Sequence, residues 1–166
     1  MQVQPTSISA TAPGKIILFG EHAVVYARPA LAVPVLQVRA QATIEPRAGP
    51  VEIDAADMGQ QYALHDAPPE DPIATMIERT CARLGVTPQD FVIRIRSTIP
   101  VARGLGSGAA VSVAVGRAVA KFLGHELPRE ELSALAFEVE KLHHGTPSGI
   151  DNTVIAYEQP VYFVRG

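Results

Sequence analysis

A glycine-rich stretch, IPVARGLGSGAA, runs from Ile99 to Ala110 and constrains this chain more than any other segment. It follows an alternating, strand-like run and leads directly into an amphipathic, helix-like run. Glycines at positions 104, 106 and 108 let backbone N–H groups close around an anion, and the helix that follows adds the positive end of its dipole. The pattern indicates a phosphate-binding loop, although glycine-rich loops also occur where a chain only turns.

The length and composition fit one domain, or one lobe of a larger enzyme. The 166 residues are 47% hydrophobic and 19% charged, which is enough apolar material for a substantial core. A formal net charge of −3 argues against nucleic acid as a partner, and one cysteine excludes an internal disulfide. No secretory signal or membrane-length apolar run is visible. We therefore expect a soluble, cytoplasmic protein.

Strand-like and helix-like patterns are mixed along the chain, which predicts an α+β fold. Helices are expected to begin at Asp71-Pro72, after the glycine loop and near Pro128. The alternation over residues 35–44 indicates an antiparallel strand with one wet face, and Leu36 is among its inward-facing residues. The other predicted strands cover residues 7–12, 91–96 and 161–164. Residues 16–19 are expected to form a buried strand or a half-buried turn, and a hairpin is expected around 51–53.

Three charged residues are candidates for chemistry. Glu140 lies at the edge of an apolar helix stripe, so its carboxylate must be solvated, paired or bound to a cation. Asp151 lies in a predicted loop rich in turn formers, where it is either a proton acceptor or a simple turn residue. Lys15 is either solvent-facing after Pro13-Gly14 or a cation beside a buried strand. With the glycine loop, these groups match the components of phosphoryl transfer, although the Walker A and protein-kinase motifs are absent.

Three segments together resemble the GHMP small-molecule kinases. They are APGKIILFGEHAVVY at 12–26, the glycine loop, and EKLHHGTPSGIDN at 140–152. Within that family they are most similar to the branch that phosphorylates mevalonate. The resemblance implies that residues 1–166 form the family's N-terminal, ATP-binding domain, an α+β domain with a mixed or antiparallel sheet and packed helices. The resemblance also implies that the family's C-terminal lobe lies outside these 166 residues.

The resemblance also implies a reaction and its participants. ATP with Mg²⁺ would phosphorylate the 5-hydroxyl of mevalonate to 5-phosphomevalonate, a step of isoprenoid precursor synthesis. Asp151 corresponds to the base, and Lys15 to the cation beside the transferred phosphate. Glu21, His22 and Ser148 correspond to further residues that face mevalonate.

The resemblance assigns the metal and the nucleotide to the glycine loop and one helix. Glu140 corresponds to the Mg²⁺ carboxylate. Gly108 replaces a serine that often binds Mg²⁺ in the family, so either Ser107 or a water takes its place, or Mg²⁺ is held mainly by Glu140. The loop residues implied to wrap the ATP phosphates are Pro100, Ala102, Arg103, Gly104, Leu105, Gly106, Ser107, Gly108, Ala109 and Ala110.

The missing lobe leaves two alternatives open. The chain is a kinase, or part of one, for mevalonate or for another small alcohol; or it is a truncated nucleotide-binding lobe without activity. In either case we expect an exposed apolar face where the second lobe would dock, and hence a tendency to form a homodimer.

Overall fold

A six-stranded mixed sheet carries four helices. The computed structural model describes residues 7–164, without the side chains of Val25, His143 and His144. The strands are β1 (Ile8–Phe19), β2 (Ala30–Pro46), β3 (Glu52–Ala55), β4 (Gln60–Ala63), β5 (Phe91–Ser97) and β6 (Val161–Phe163). The helices are α1 (Pro72–Arg83), α2 (Ser107–Phe122), α3 (Arg129–His144) and α4 (Ile150–Tyr157).

The sheet has the strand order β1-β2-β5-β3-β4, and β6 pairs with the first part of β2. All the pairs are antiparallel except β3 with β5. Alanine and isoleucine side chains on one face of β2 and β5 pack beneath α1 and α2, with Ile44, Ile93 and Ile95 almost completely buried. The α+β fold, with its mixed sheet and packed helices, is therefore confirmed.

The predicted helix starts are confirmed. Asp71 Oδ1 accepts a hydrogen bond of 2.7 Å from Ala74 N, and Pro72 is the first helical residue of α1. Helix α2 is mostly buried and runs through the centre of the main core. Because its first turn directly follows the glycine loop, the core fixes the position of that loop.

Two strand predictions were wrong in detail. Residues 8–19 form one strand instead of two, because Pro13-Gly14 makes a register shift within β1 and does not end it. Pro13 pairs with Arg39 and Gly14 with Val35, so the residues between them in β2 have no partner in β1. The alternation slips there, and Leu36 is 52% exposed instead of buried.

No helix within residues 7–164 has both the length and the apolar character needed to cross a membrane.

Candidate active site

A cleft of about 630 Å³ lies between the glycine loop, α2, α3 and the start of α4. Residues 102–109 form one wall, so the predicted loop residues from Ala102 to Ala109 line a single space. The opposite wall carries two carboxylates and a serine hydroxyl, on Glu140, Asp151 and Ser148. Two of the three sequence segments singled out above, the glycine loop and residues 140–152, therefore line the same cleft.

The loop between β5 and α2 has the backbone of an anion cradle. Ala102, Gly104 and Gly106 have positive φ angles of 58°, 70° and 69°. No side chain caps the first turn of α2, so its N–H groups remain available at the edge of the cleft. These donors and the helix dipole favour an anion at this position.

Gly106 packs against Lys15, and a larger residue there would force the Ile155 or Lys15 side chain to move. The Lys15 amide donates a 3.0 Å hydrogen bond to Leu105 O, which fixes the loop to β1. A Cβ on Gly106 would lie 2.9 Å from Ile155 Cδ1 and 3.1 Å from Lys15 Cγ. The missing side chain thus lets the Lys15 side chain pass directly beneath the loop.

Lys15 pairs with Asp151, which lines the cleft, although Lys15 itself is not among the lining residues. Lys15 Nζ lies 2.8 Å from Asp151 Oδ1, with the lysine side chain 5% exposed and the aspartate 30% exposed. Of the two interpretations of Lys15, the buried cation is therefore correct. The partial exposure of Asp151 leaves its carboxylate accessible from the cleft.

Asp151 lies in a helix, and its predicted loop placement was wrong. Helix α4 begins at Ile150, immediately after Gly149 with its positive φ of 84°. Ser148 Oγ accepts a 3.3 Å hydrogen bond from the Ile150 amide at this start. Ile150 and Val154 are buried one turn apart, so packing holds the first turn of α4 and with it Asp151.

Asn152 attaches α4 to α3. Its amide group donates to Ser133 O at 3.1 Å and to Ser133 Oγ at 2.8 Å, and both residues are buried. Ser133 and Glu140 are two turns apart on α3 and so lie on similar faces of that helix. The contact therefore fixes the helix that carries Asp151 against the helix that carries Glu140.

Glu140 is a carboxyl group in an unfavourable electrostatic position. Burial, with a smaller contribution from the negative charge of Asp151, raises its pKa to about 8, and Lys15 opposes the shift. A cation beside Glu140 would offset both effects. Among the side chains that the structure describes, no three histidine, cysteine, aspartate or glutamate residues cluster as a metal site.

The remaining predicted site residues differ in their placement. Glu21 is exposed, and its Oε1 lies 4.0 Å from where a Cβ on Gly104 would be, so it sits near the loop. His22 is exposed and outside the cleft lining. Pro100 is exposed ahead of the loop, and Ala110 is buried in the core; neither lines the cleft.

Sequence reasoning missed Ser112 as a cleft residue. It is 2% exposed and borders the cleft from α2. The available signal was its spacing, since Ser112 is four residues after Gly108 and therefore one helical turn away on the same face.

Comparison with known proteins gives concordant matches. The family model described as "GHMP kinases N terminal domain" matches residues 72–159. A mevalonate kinase of Pyrococcus horikoshii is 37% identical over an alignment 182 positions long, which covers 96% of this chain and 52% of that relative. The chain thus spans about half the length of the curated relatives it matches.

Two solved structures illustrate the similarity of fold. The mevalonate kinase of Methanococcus jannaschii superposes with a TM-score of 0.88 at 26% identity, over 98% of this chain and 55% of that one. A phosphomevalonate kinase of Streptococcus pneumoniae gives a TM-score of 0.82 at 22% identity, over 95% of this chain and 50% of that one. The second likeness concerns the fold alone.

Proposed function

We propose that this chain, which belongs to the GHMP kinase family, is the ATP-binding lobe of a kinase that phosphorylates the 5-hydroxyl of mevalonate. The 37% identity to a mevalonate kinase supports this substrate over others used in the family. Because the chain spans about half of that relative, we further propose that activity requires a second lobe to complete the cleft. The cytoplasmic location stays a prediction.

The observation that carries the proposal is the Lys15–Asp151 ion pair beside the glycine loop. Phosphoryl transfer to an alcohol needs an anion cradle, a proton acceptor and positive charge close together. The loop at 102–109 and the carboxylate of Asp151 supply the first two in one cleft, and the ammonium group of Lys15, which contacts Asp151, supplies the third.

In the proposed reaction Asp151 accepts the proton of the 5-hydroxyl group as the alcohol oxygen attacks the γ-phosphorus of ATP. The bond between that phosphorus and the bridging oxygen to the β-phosphate breaks, and ADP leaves. Lys15 orients Asp151 and offsets negative charge on the phosphoryl group during transfer. The N–H groups of the loop and of the first turn of α2 hold the phosphates in place.

The residues in the cleft fit a magnesium ion, with Glu140 as its protein carboxylate and Ser107 as a hydroxyl donor. Mg²⁺ prefers oxygen ligands and is usually held by one or two carboxylates together with substrate phosphates and water, so no larger acidic cluster is required. The unfavourable burial of Glu140 is the observation that favours a cation beside it. The bound ion would neutralise part of the negative charge on the phosphates.

A coupled ADP-release assay tests the substrate. It compares mevalonate with phosphomevalonate, homoserine and simple sugars, using the chain alone and the chain joined to the C-terminal half of the Pyrococcus horikoshii relative. We expect turnover of mevalonate by the joined protein. Turnover of another alcohol without turnover of mevalonate would show that the enzyme is a sister kinase.

The half-length match also favours a second candidate function, a nucleotide-binding module that has no activity by itself. Calorimetry with Mg·ATP on the 166-residue chain separates the two. Binding without ADP release, both alone and in the joined protein, would support the module.

A further inference from the structure

Among the buried polar side chains that the structure describes, Ser112 is the one that lines the cleft. Among the described residues, Asp71 caps α1, Lys15 pairs with Asp151, and Ser133 bonds Asn152. Ser112 is 2% exposed yet borders the cleft that also contains Glu140. Because Ser112 lines this cleft, its hydroxyl oxygen is a candidate ligand for a cation bound there.

The side of α2 that faces the cleft lacks a side chain one turn earlier. Gly108 lines the cleft, and a Cβ built on it would have no atom within 4 Å. Residues four apart lie above one another on a helix, so Ser112 carries the hydroxyl group on the side of α2 where Gly108 has none.

We propose that Ser112 supplies an oxygen ligand to the magnesium ion of Mg·ATP from α2, while Glu140 binds the same ion from α3. This assignment rests on the proposed function. A hydroxyl and a carboxylate are both oxygen donors of the kind that Mg²⁺ prefers, and the two residues line the same cleft from facing helices. Ser112 would thereby provide the hydroxyl ligand that Gly108 cannot.

The test measures ATP binding to the 166-residue chain by calorimetry, with Mg²⁺ and with EDTA. Ser112→Ala should weaken Mg·ATP binding by about tenfold, a loss typical of a metal-site oxygen, and leave metal-free ATP binding unchanged. Adding Gly108→Ser to Ser112→Ala should recover most of the loss, because the space beside Gly108 is open. Thr80→Val is the matched control, since Thr80 is a buried hydroxyl outside the cleft with no partner for Oγ1 among the described residues.

A second measurement does not depend on a variant folding. When Mn²⁺ replaces Mg²⁺ with ATP, the amide signal of Ser112 should broaden as strongly as that of Glu140 in the NMR spectrum of the unmodified chain. Equal Mg·ATP affinity of the wild type and Ser112→Ala, or a Ser112 signal that stays sharp while Glu140 broadens, would overturn the assignment alone. A wild-type chain that binds no Mg·ATP would overturn the proposed function as well.

Discussion

Lys15 Nζ lies 2.8 Å from Asp151 Oδ1, and this contact joins β1 to the first turn of α4 beneath the glycine loop. The lysine is almost fully buried, whereas the aspartate is partly exposed to the cleft. An unpaired charge is most unfavourable where water cannot reach it. Removing Asp151 should therefore destabilise the protein more than removing Lys15.

The first prediction concerns the stability of this pair. Asp151→Asn should destabilise the fold by about 2 kcal/mol because it leaves the Lys15 charge buried and unpaired, and Lys15→Met should cost about half as much. The double variant should be more stable than Asp151→Asn alone. Urea unfolding of all three variants measures the coupling.

A second ion pair, on the surface of α3, serves as the matched control for these stability measurements. Lys141 Nζ is 2.7 Å from Glu138 Oε1, with both side chains almost half exposed. Lys141→Met should change the stability by no more than about 0.5 kcal/mol. A double variant at 15 and 151 that is less stable than either single variant would argue against a direct ion pair.

The second prediction concerns pH. Burial raises the pKa of Glu140 from the ordinary 4.5 to about 8, so the folded state binds this proton more tightly than the unfolded state does. The corresponding stability is fully present below about pH 4.5 and is lost as the pH rises to about 8.

Glu140→Gln removes this dependence. The variant should match the wild type near pH 5 and exceed its stability by on the order of 2 kcal/mol at pH 8.5, where the wild-type carboxyl is ionised. Thermal unfolding between pH 5 and 9 measures the difference. A constant difference across that range would mean that Glu140 titrates normally.

The third prediction compares two glycines of the same loop. Gly106→Ala should destabilise the chain by about 2 kcal/mol, because position 106 has a positive φ and its Cβ would contact Ile155 and Lys15. Gly108→Ala lies in the first turn of α2 with open space around it, so we expect no loss and a gain of up to about 1 kcal/mol. Equal effects at the two positions in chemical denaturation would contradict the described packing.

The fourth prediction concerns an apolar face formed by Phe19, Leu31 and Tyr162. Leu31 pairs with Phe19 on β1 and with Tyr162 on β6, so the three side chains share one face of the sheet. Phe19 and Tyr162 are 72% and 71% exposed. Light scattering of the chain should show self-association that falls on changing Phe19 and Tyr162 to serine. A monomer at the concentrations used for NMR would contradict the expectation.

The sequence allowed the elements that have simple periodicity to be predicted. The start of α1 follows from Asp71-Pro72, and the position of α2 follows from the glycine loop and the apolar run after it. Helix α4 could not be found in this way, since Thr153, Val154 and Ile155 are β-branched and favour strands. Its helical form depends on burial of Ile150 and Val154 in a tertiary contact.

The sequence allowed the residues of the site to be predicted better than their arrangement. The resemblance brought Lys15, Glu140 and Asp151 together, and the structure places them around one cleft. The shift in the alternation of β2 that exposes Leu36 is caused by the register shift at Pro13-Gly14 in β1. The sequence of β2 alone therefore cannot predict it. Ser112 was not predicted, because its place in the cleft lining depends on which side of α2 faces the cleft.

One comparison decides whether Asp151 acts as the base for phosphoryl transfer to mevalonate. Asp151→Asn and the wild type are joined to the same C-terminal half and assayed for mevalonate-dependent ADP release below the unfolding temperature of the variant, with Mg·ATP affinity measured in parallel. We expect the variant to bind Mg·ATP as tightly as the wild type and to release no measurable ADP. ADP release by the variant at a rate close to that of the wild type would contradict this expectation.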